Sequence, residues 1–92
     1  MDLGFTWDPD KDAANIRKHG VSFAEAMTTF ADLLSVTIPD PDHSVGEERF
    51  VTFGVSTNGR LLVVGHIEHG DIIRIITARP AIPGERKLYE EG

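Results

Sequence analysis

The sequence predicts an α+β fold: a helical hairpin packed on a small antiparallel β-meander, closed by a short C-terminal helix. Three observations predict it. Helix caps and a 3.6-residue apolar period occupy residues 8–32. Strand-type runs separated by turn signals fill residues 34–79. The helical and strand segments are segregated rather than alternating, which is the α+β pattern and not that of a parallel βαβ sheet.

Residues 4–7, Gly-Phe-Thr-Trp, are extended in type and too short for more than an edge strand. Asp8-Pro9 reads as an N-cap followed by proline at the first helical position. The helix it opens runs to about Lys18 and stops at Gly20, a natural C′ glycine, with Arg17, Lys18 and His19 complementing the dipole. Trp7 anchors this helix in the core. Ser22, with Glu25 three residues on, forms a capping box, and Phe23, Ala26, Met27 and Phe30 give a second helix one buried face, ending near Ala31 or Asp32. The two helices make a tight hairpin through His19-Gly20-Val21.

Leu34 to Ile38 is β-type and stops at Pro39-Asp-Pro-Asp, beyond which residues 39–47 form an acidic loop. Arg49–Ser56 alternates, with Val51, Phe53 and Val55 on one side. Asn58-Gly59 is the strongest hairpin signal in the chain and leads into Arg60–Ile67. His69-Gly70-Asp71 is a second turn before the isoleucine-rich strand Ile72–Arg79. Pro80 and Pro83-Gly84 end that pattern, and Glu85–Glu91 reads as the last helix. The meander is expected to be covered by helices on one face.

The chain has 92 residues, of which 40% are apolar and 26% charged, so one soluble domain over residues 1–92 is expected. No apolar run reaches the roughly 18 residues of a membrane span, and the acidic N-terminus does not have the form of a signal peptide. There is no cysteine, which excludes a disulfide scaffold and thiolate metal ligation and fits a reducing cytoplasm. The net charge of −6 argues against a protein that coats nucleic acid. The charge is uneven, however: residues 1–48 carry three basic and ten acidic side chains, whereas residues 49–89 carry six basic and three acidic.

No phosphate-binding glycine loop, zinc-type spacing or nucleophile elbow is present. Four histidines invite a metal reading, but His66 and His69 are three apart on a strand end and point to opposite faces. Asp40, Asp42 and His43 form at most a weak loop site, so neither a metal nor another cofactor is expected. The arginines are more informative. Arg74 and Arg79 are five apart and share a face of a strand only if a bulge intervenes. Arg49 and Arg60 open successive strands, and Arg79 sits at a strand end suited to an open site. Taken singly, each arginine is more simply a surface ion pair contributing about 0–1 kcal/mol than a site residue.

Trp7-Asp8, Lys11, Asn15, Lys18-His19-Gly20, Phe23, Ala26, Phe30, Asp42-His43, Glu48-Arg49, Gly54, Arg74-Ile75-Ile76, Ala78-Arg79, Ala81, Glu85-Arg86 and Tyr89 together resemble the BrnT family of bacterial type II toxins. The resemblance runs from Phe5 to Tyr89 and implies what composition does not: a RelE-like fold and metal-independent endoribonuclease activity that inhibits translation and growth. It also implies a ribbon-helix-helix antitoxin of the BrnA type, two toxins with two antitoxins, bound to operator DNA only through the antitoxin. Lys18, Arg60 and Arg79 are then expected on the phosphate and Glu48 as the base, with His19 and Arg49 as alternates for it, and His19, Arg49, His69 and Arg74 contacting RNA. Two positions depart from the family pattern: His69 replaces a basic residue and Thr77 a serine. The alternative from the same residues is an inactive toxin-fold module that acts only with its DNA-binding partner.

Overall fold

The computed structural model describes residues 4–40 and 46–91. Asp42 and His43 of the weak loop site lie outside them. The elements are β1 (Gly4–Thr6), α1 (Pro9–His19), α2 (Phe23–Thr28), a 3₁₀ turn (Thr29–Ala31), β2 (Val36–Pro39), β3 (Arg49–Val55), β4 (Leu61–His69), β5 (Ile72–Pro80) and α3 (Pro83–Glu91). The sheet order is β1-β5-β4-β3-β2. β2 to β5 form the expected antiparallel meander. β1 adds parallel to β5, with Phe5 opposite Ile73, so the sheet is mixed.

The helix boundaries follow local chemistry. The Asp8 carboxylate accepts the Asp10 N–H at 2.8 Å, and Gly20 closes α1 in the left-handed region at φ 70°, donating its N–H to the Ile16 carbonyl. At α2 only half of the capping box forms: Ser22 Oγ accepts the Glu25 N–H at 3.0 Å. The Glu25 carboxylate is instead taken by the Arg60 guanidinium and the Ser56 hydroxyl. A charge-assisted bond to arginine outweighs one to a neutral backbone N–H.

α1 and α2 cover one face of the sheet. Val21, Phe23 and Ala26 pack there against Leu62, Val64, Ile73, Ile75 and Ala78, with Trp7 edge-on to Phe23. On β3 the residues in register with this face are Thr52 and Gly54, opposite Val64 and Leu62. A Cβ at Gly54 would stand 2.9 Å from the Thr29 carbonyl oxygen, so the small residue lets the 3₁₀ turn lie against the strand. Val51, Phe53 and Val55 therefore face the other side. α3 crosses that second face, packing on β3 and tying Glu85 to Arg79. The expectation of helices on one face alone is corrected accordingly: Phe53 and Val63 on the outer face are buried and need a cover.

His66 is the one fully buried titratable group among the described residues. Its Nε2 bonds Thr52 Oγ1 at 2.7 Å, Phe30 meets its ring edge-on, and Phe50 stacks on it. Nδ1 has no hydrogen-bond partner; the half-exposed Glu68 carboxylate is 3.8 Å away and screened by solvent. Burial lowers the imidazole pKa to about 4 from 6.5. The folded protein therefore holds His66 neutral between those values, while the unfolded chain takes up a proton. Stability is complete above about pH 6.5 and falls by about 3 kcal/mol as pH drops towards 4. Denaturant unfolding at a series of pH values checks this: His66→Phe should flatten the curve across that window, and an equal slope in the variant would remove His66 as the cause.

Candidate active site on the outer face of the sheet

The outer face carries the arginines because β5 contains a bulge. Gly65 pairs with Thr77 but His66 pairs with Ile75, so Ile76 is left over. Ile73 and Ile75 point into the core before the bulge and Ala78 does so after it. The extra residue resets the alternation, and Arg74 and Arg79, five apart, leave the sheet on the same side. Arg49 joins them from β3. Arg49 and Arg74 are both register partners of Ile67, which places their Cα atoms about 10 Å apart across two strand spacings. Arg79 pairs with Val63, four residues along β4 from Ile67, or about 13 Å.

Between Arg49 and Arg79 lies an open cleft of about 190 Å³, with Val51, Val63, Gly65, Thr77 and Asp40 also in its lining; Arg74 shares the face but stands outside that lining. Gly65 keeps its floor low: a Cβ there would stand 2.8 Å from Thr77 Oγ1. Arg79 is held by both oxygens of Glu85, at 2.7 and 2.6 Å. The hydrogen bonds from Arg79 hold the Glu85 carboxyl below its ordinary range, and Glu85 in turn strengthens the guanidinium's hold on its proton. Glu85 Oε1 also accepts the Ile82 N–H at 3.0 Å, the capping bond of α3. One carboxylate thus fixes both the start of α3 and the pose of Arg79.

The remaining expected site residues are dispersed. Arg60 is bound to Glu25 and donates to the Gly20 carbonyl at 3.0 Å, tying the turn before β4 to the helical hairpin. Lys18 is exposed and His19 partly exposed at the end of α1, and neither lines the cleft. Glu48 is exposed beside Arg49 and also stands outside the cleft lining. His69 bonds the Glu47 carboxylate at 2.9 Å on the surface. The carboxylates that meet the arginine cleft are Asp40 and Glu85. Glu85 escaped the sequence reading as a site residue, although Pro83-Gly84-Glu85 places it at the third helical position, where a capping glutamate belongs. Gly65 was also missed; a glycine inside an otherwise apolar strand is its signal. Among the described residues no group of three or more histidine, aspartate or glutamate side chains is arranged to hold a metal ion, and no helix is long and apolar enough to cross a membrane.

The sequence model of a family described as the ribonuclease toxin, BrnT, of type II toxin–antitoxin systems matches residues 7–85. Among solved structures, the crystal structure of the Brucella abortus ribonuclease toxin, BrnT, superposes with a TM-score of 0.68 at 23% identity, covering 87% of this chain and 97% of that one. No curated protein matches.

Proposed function

The chain belongs to the BrnT family of type II toxin–antitoxin systems, and from that premise we propose that it is a metal-independent endoribonuclease whose catalytic surface is the arginine face of the sheet. The observation that carries this reading is the bulge at Ile76, which gathers Arg74 and Arg79 on Arg49's side of the sheet. Without it the two arginines of β5 would act on opposite faces.

Cleavage of RNA by its own 2′-hydroxyl requires a base for that hydroxyl, an acid for the leaving oxygen and cations for the charge that gathers on phosphorus. The Arg79 guanidinium binds a phosphate in the same two-pronged manner in which it binds Glu85. A phosphate that takes Arg79 releases Glu85, and loss of that partner removes the main cause that holds its carboxyl low, so its basicity rises. The freed carboxylate accepts the 2′-hydroxyl proton. The resulting oxygen attacks phosphorus as the bond to the 5′-oxygen breaks, and that oxygen takes its proton from water of the open cleft, giving a 2′,3′-cyclic phosphate and a 5′-hydroxyl. Glu85 takes the place expected for Glu48, and Arg49 and Arg74 bind the flanking backbone.

The product of this chemistry is cut RNA, slowed translation and arrested growth in the cytoplasm. A ribbon-helix-helix antitoxin of the BrnA type, two copies with two toxins, neutralises the chain and carries it to operator DNA. Purified protein incubated with a defined RNA in EDTA tests the reading. Cleavage with cyclic-phosphate ends is expected, together with growth arrest on expression without antitoxin. Folded protein that does neither would be an inactive module acting only with its partner.

A further inference from the structure

The turn after the 3₁₀ helix displays two leucines to solvent, Leu33 at 99% and Leu34 at 72% exposure. This display is built. The Asp32 carboxylate accepts the Leu34 N–H at 2.9 Å, the Val55 N–H at 2.8 Å and the Tyr89 hydroxyl at 2.7 Å, while the Ser35 N–H bonds the Asp32 carbonyl. Three elements are tied to one side chain, and the bond from the Val55 N–H, foremost, lowers the Asp32 carboxyl. The turn therefore cannot fold its leucines inward without breaking charge-assisted bonds. Beside it runs an apolar groove of about 440 Å³ lined by Leu33, Leu34, Ser35, Val36, Tyr89 and Glu90. β2, which supplies Val36, is a sheet edge paired only with β3. Ile38 of the same strand is also exposed. A contiguous apolar surface beside an open strand edge is the form of a protein-binding site.

We propose that this groove is where the antitoxin docks, through an apolar segment carrying basic residues; the inference rests on the toxin–antitoxin reading above. Charge selects the occupant. Among the described residues that line the groove Glu90 alone is charged, with Glu91 and the carbonyl end of α3 beside it, and Asp32 under Tyr89 offsets Arg86 on the preceding turn. The chain as a whole is at −6. A second copy would bring the same negative charge to this surface, whereas a basic partner is drawn to it. The groove also reaches the cleft. Tyr89 lies one helical turn from Glu85, about 6 Å along α3. An antitoxin seated on Tyr89 thus grips the helix whose first turn holds Arg79, and steadies the Glu85–Arg79 pair that RNA must open.

The test is co-expression with the tagged antitoxin encoded beside this chain's gene, using Leu33→Glu/Leu34→Glu and, as a control, Ile16→Glu on α1. Both variants alter exposed side chains, so the fold survives. The double variant should still arrest growth yet escape rescue, with antitoxin affinity down at least tenfold, while Ile16→Glu is rescued like wild type. Rescue and affinity equal to wild type in the double variant would overturn the proposal. So would a wild-type dimer that the double variant abolishes with antitoxin binding intact, which would assign the groove to a second copy. A wild-type chain that neither arrests growth nor binds the antitoxin would instead defeat the reading on which the proposal rests.

Discussion

Arg79→Ala is expected to lower RNA cleavage by about 10²–10³-fold, the usual loss when one preorganised donor to a developing charge is removed. The thermal midpoint should hardly move. Arg79 and Glu85 are both partly exposed, at 39% and 22%, and such a pair contributes on the order of 0–1 kcal/mol. Arg79→Lys should recover only part of the rate, because an ammonium supplies a point charge without the two-pronged geometry. Glu85→Gln separates the roles within the pair. It keeps the size of the side chain and an acceptor for the Ile82 N–H, but removes the base. It should therefore leave RNA binding near wild type, or tighten it by freeing Arg79, while the cleavage rate falls. Cleavage time courses and filter binding on the three variants decide the matter. Equal cleavage by wild type and Arg79→Ala would place the chemistry elsewhere, with Arg60 beside Glu25 and Gly20 the next arginine to examine.

The parts of this fold that were legible in the sequence are those set by neighbours in the chain. Asp8, Gly20 and Ser22 cap their helices because the groups they satisfy lie within four residues. The Asn58-Gly59 hairpin formed, with Gly59 at φ 77° supplying the left-handed residue. What was not legible depends on distant partners. β1 pairs with β5 across 68 positions, and no local pattern announces a parallel edge strand. The ion pair of Arg60 was not legible because Glu25, 35 residues earlier, gave no sign that it would leave its capping role. The candidate site turned on one residue of register. Alternation read from Arg74 to Arg79 puts them on opposite faces, and only the pairing with β4 reveals that Ile76 is extra. Glu85 lay nearest to being readable, being six positions from Arg79 and at a capping position, but a capping glutamate shows only one of its two oxygens in sequence.

Asn15→Ala is expected to be the most damaging single change to the fold, costing on the order of 3–5 kcal/mol. Asn15 is buried in α1. Its Nδ2 donates to the Val21 and Ala78 carbonyls, both at 2.8 Å, and its Oδ1 accepts the Ala78 N–H at 3.2 Å. β1 pairs with β5 only as far as Arg74, so the free side of β5 at Ala78 has no strand beside it. The Asn15 amide stands in for that strand, offering one donor and one acceptor to the same residue as a backbone would. Its second donor fixes the turn between the helices. Truncation leaves two carbonyls and an N–H buried without partners, each a penalty of about 1–3 kcal/mol. For a domain of this size the thermal midpoint should fall by on the order of 15–25 °C. Asn15→Asp should do no better, because it keeps the acceptor but points a carboxylate at two carbonyl oxygens. The consequence reaches the site, since Ala78 precedes Arg79 and its backbone sets where that guanidinium leaves the sheet. Thermal unfolding followed by circular dichroism, with cleavage assayed well below the lowered midpoint, separates the two effects. Cleavage should remain depressed in the cold, folded variant; full cleavage there would show that Asn15 holds the fold without holding Arg79.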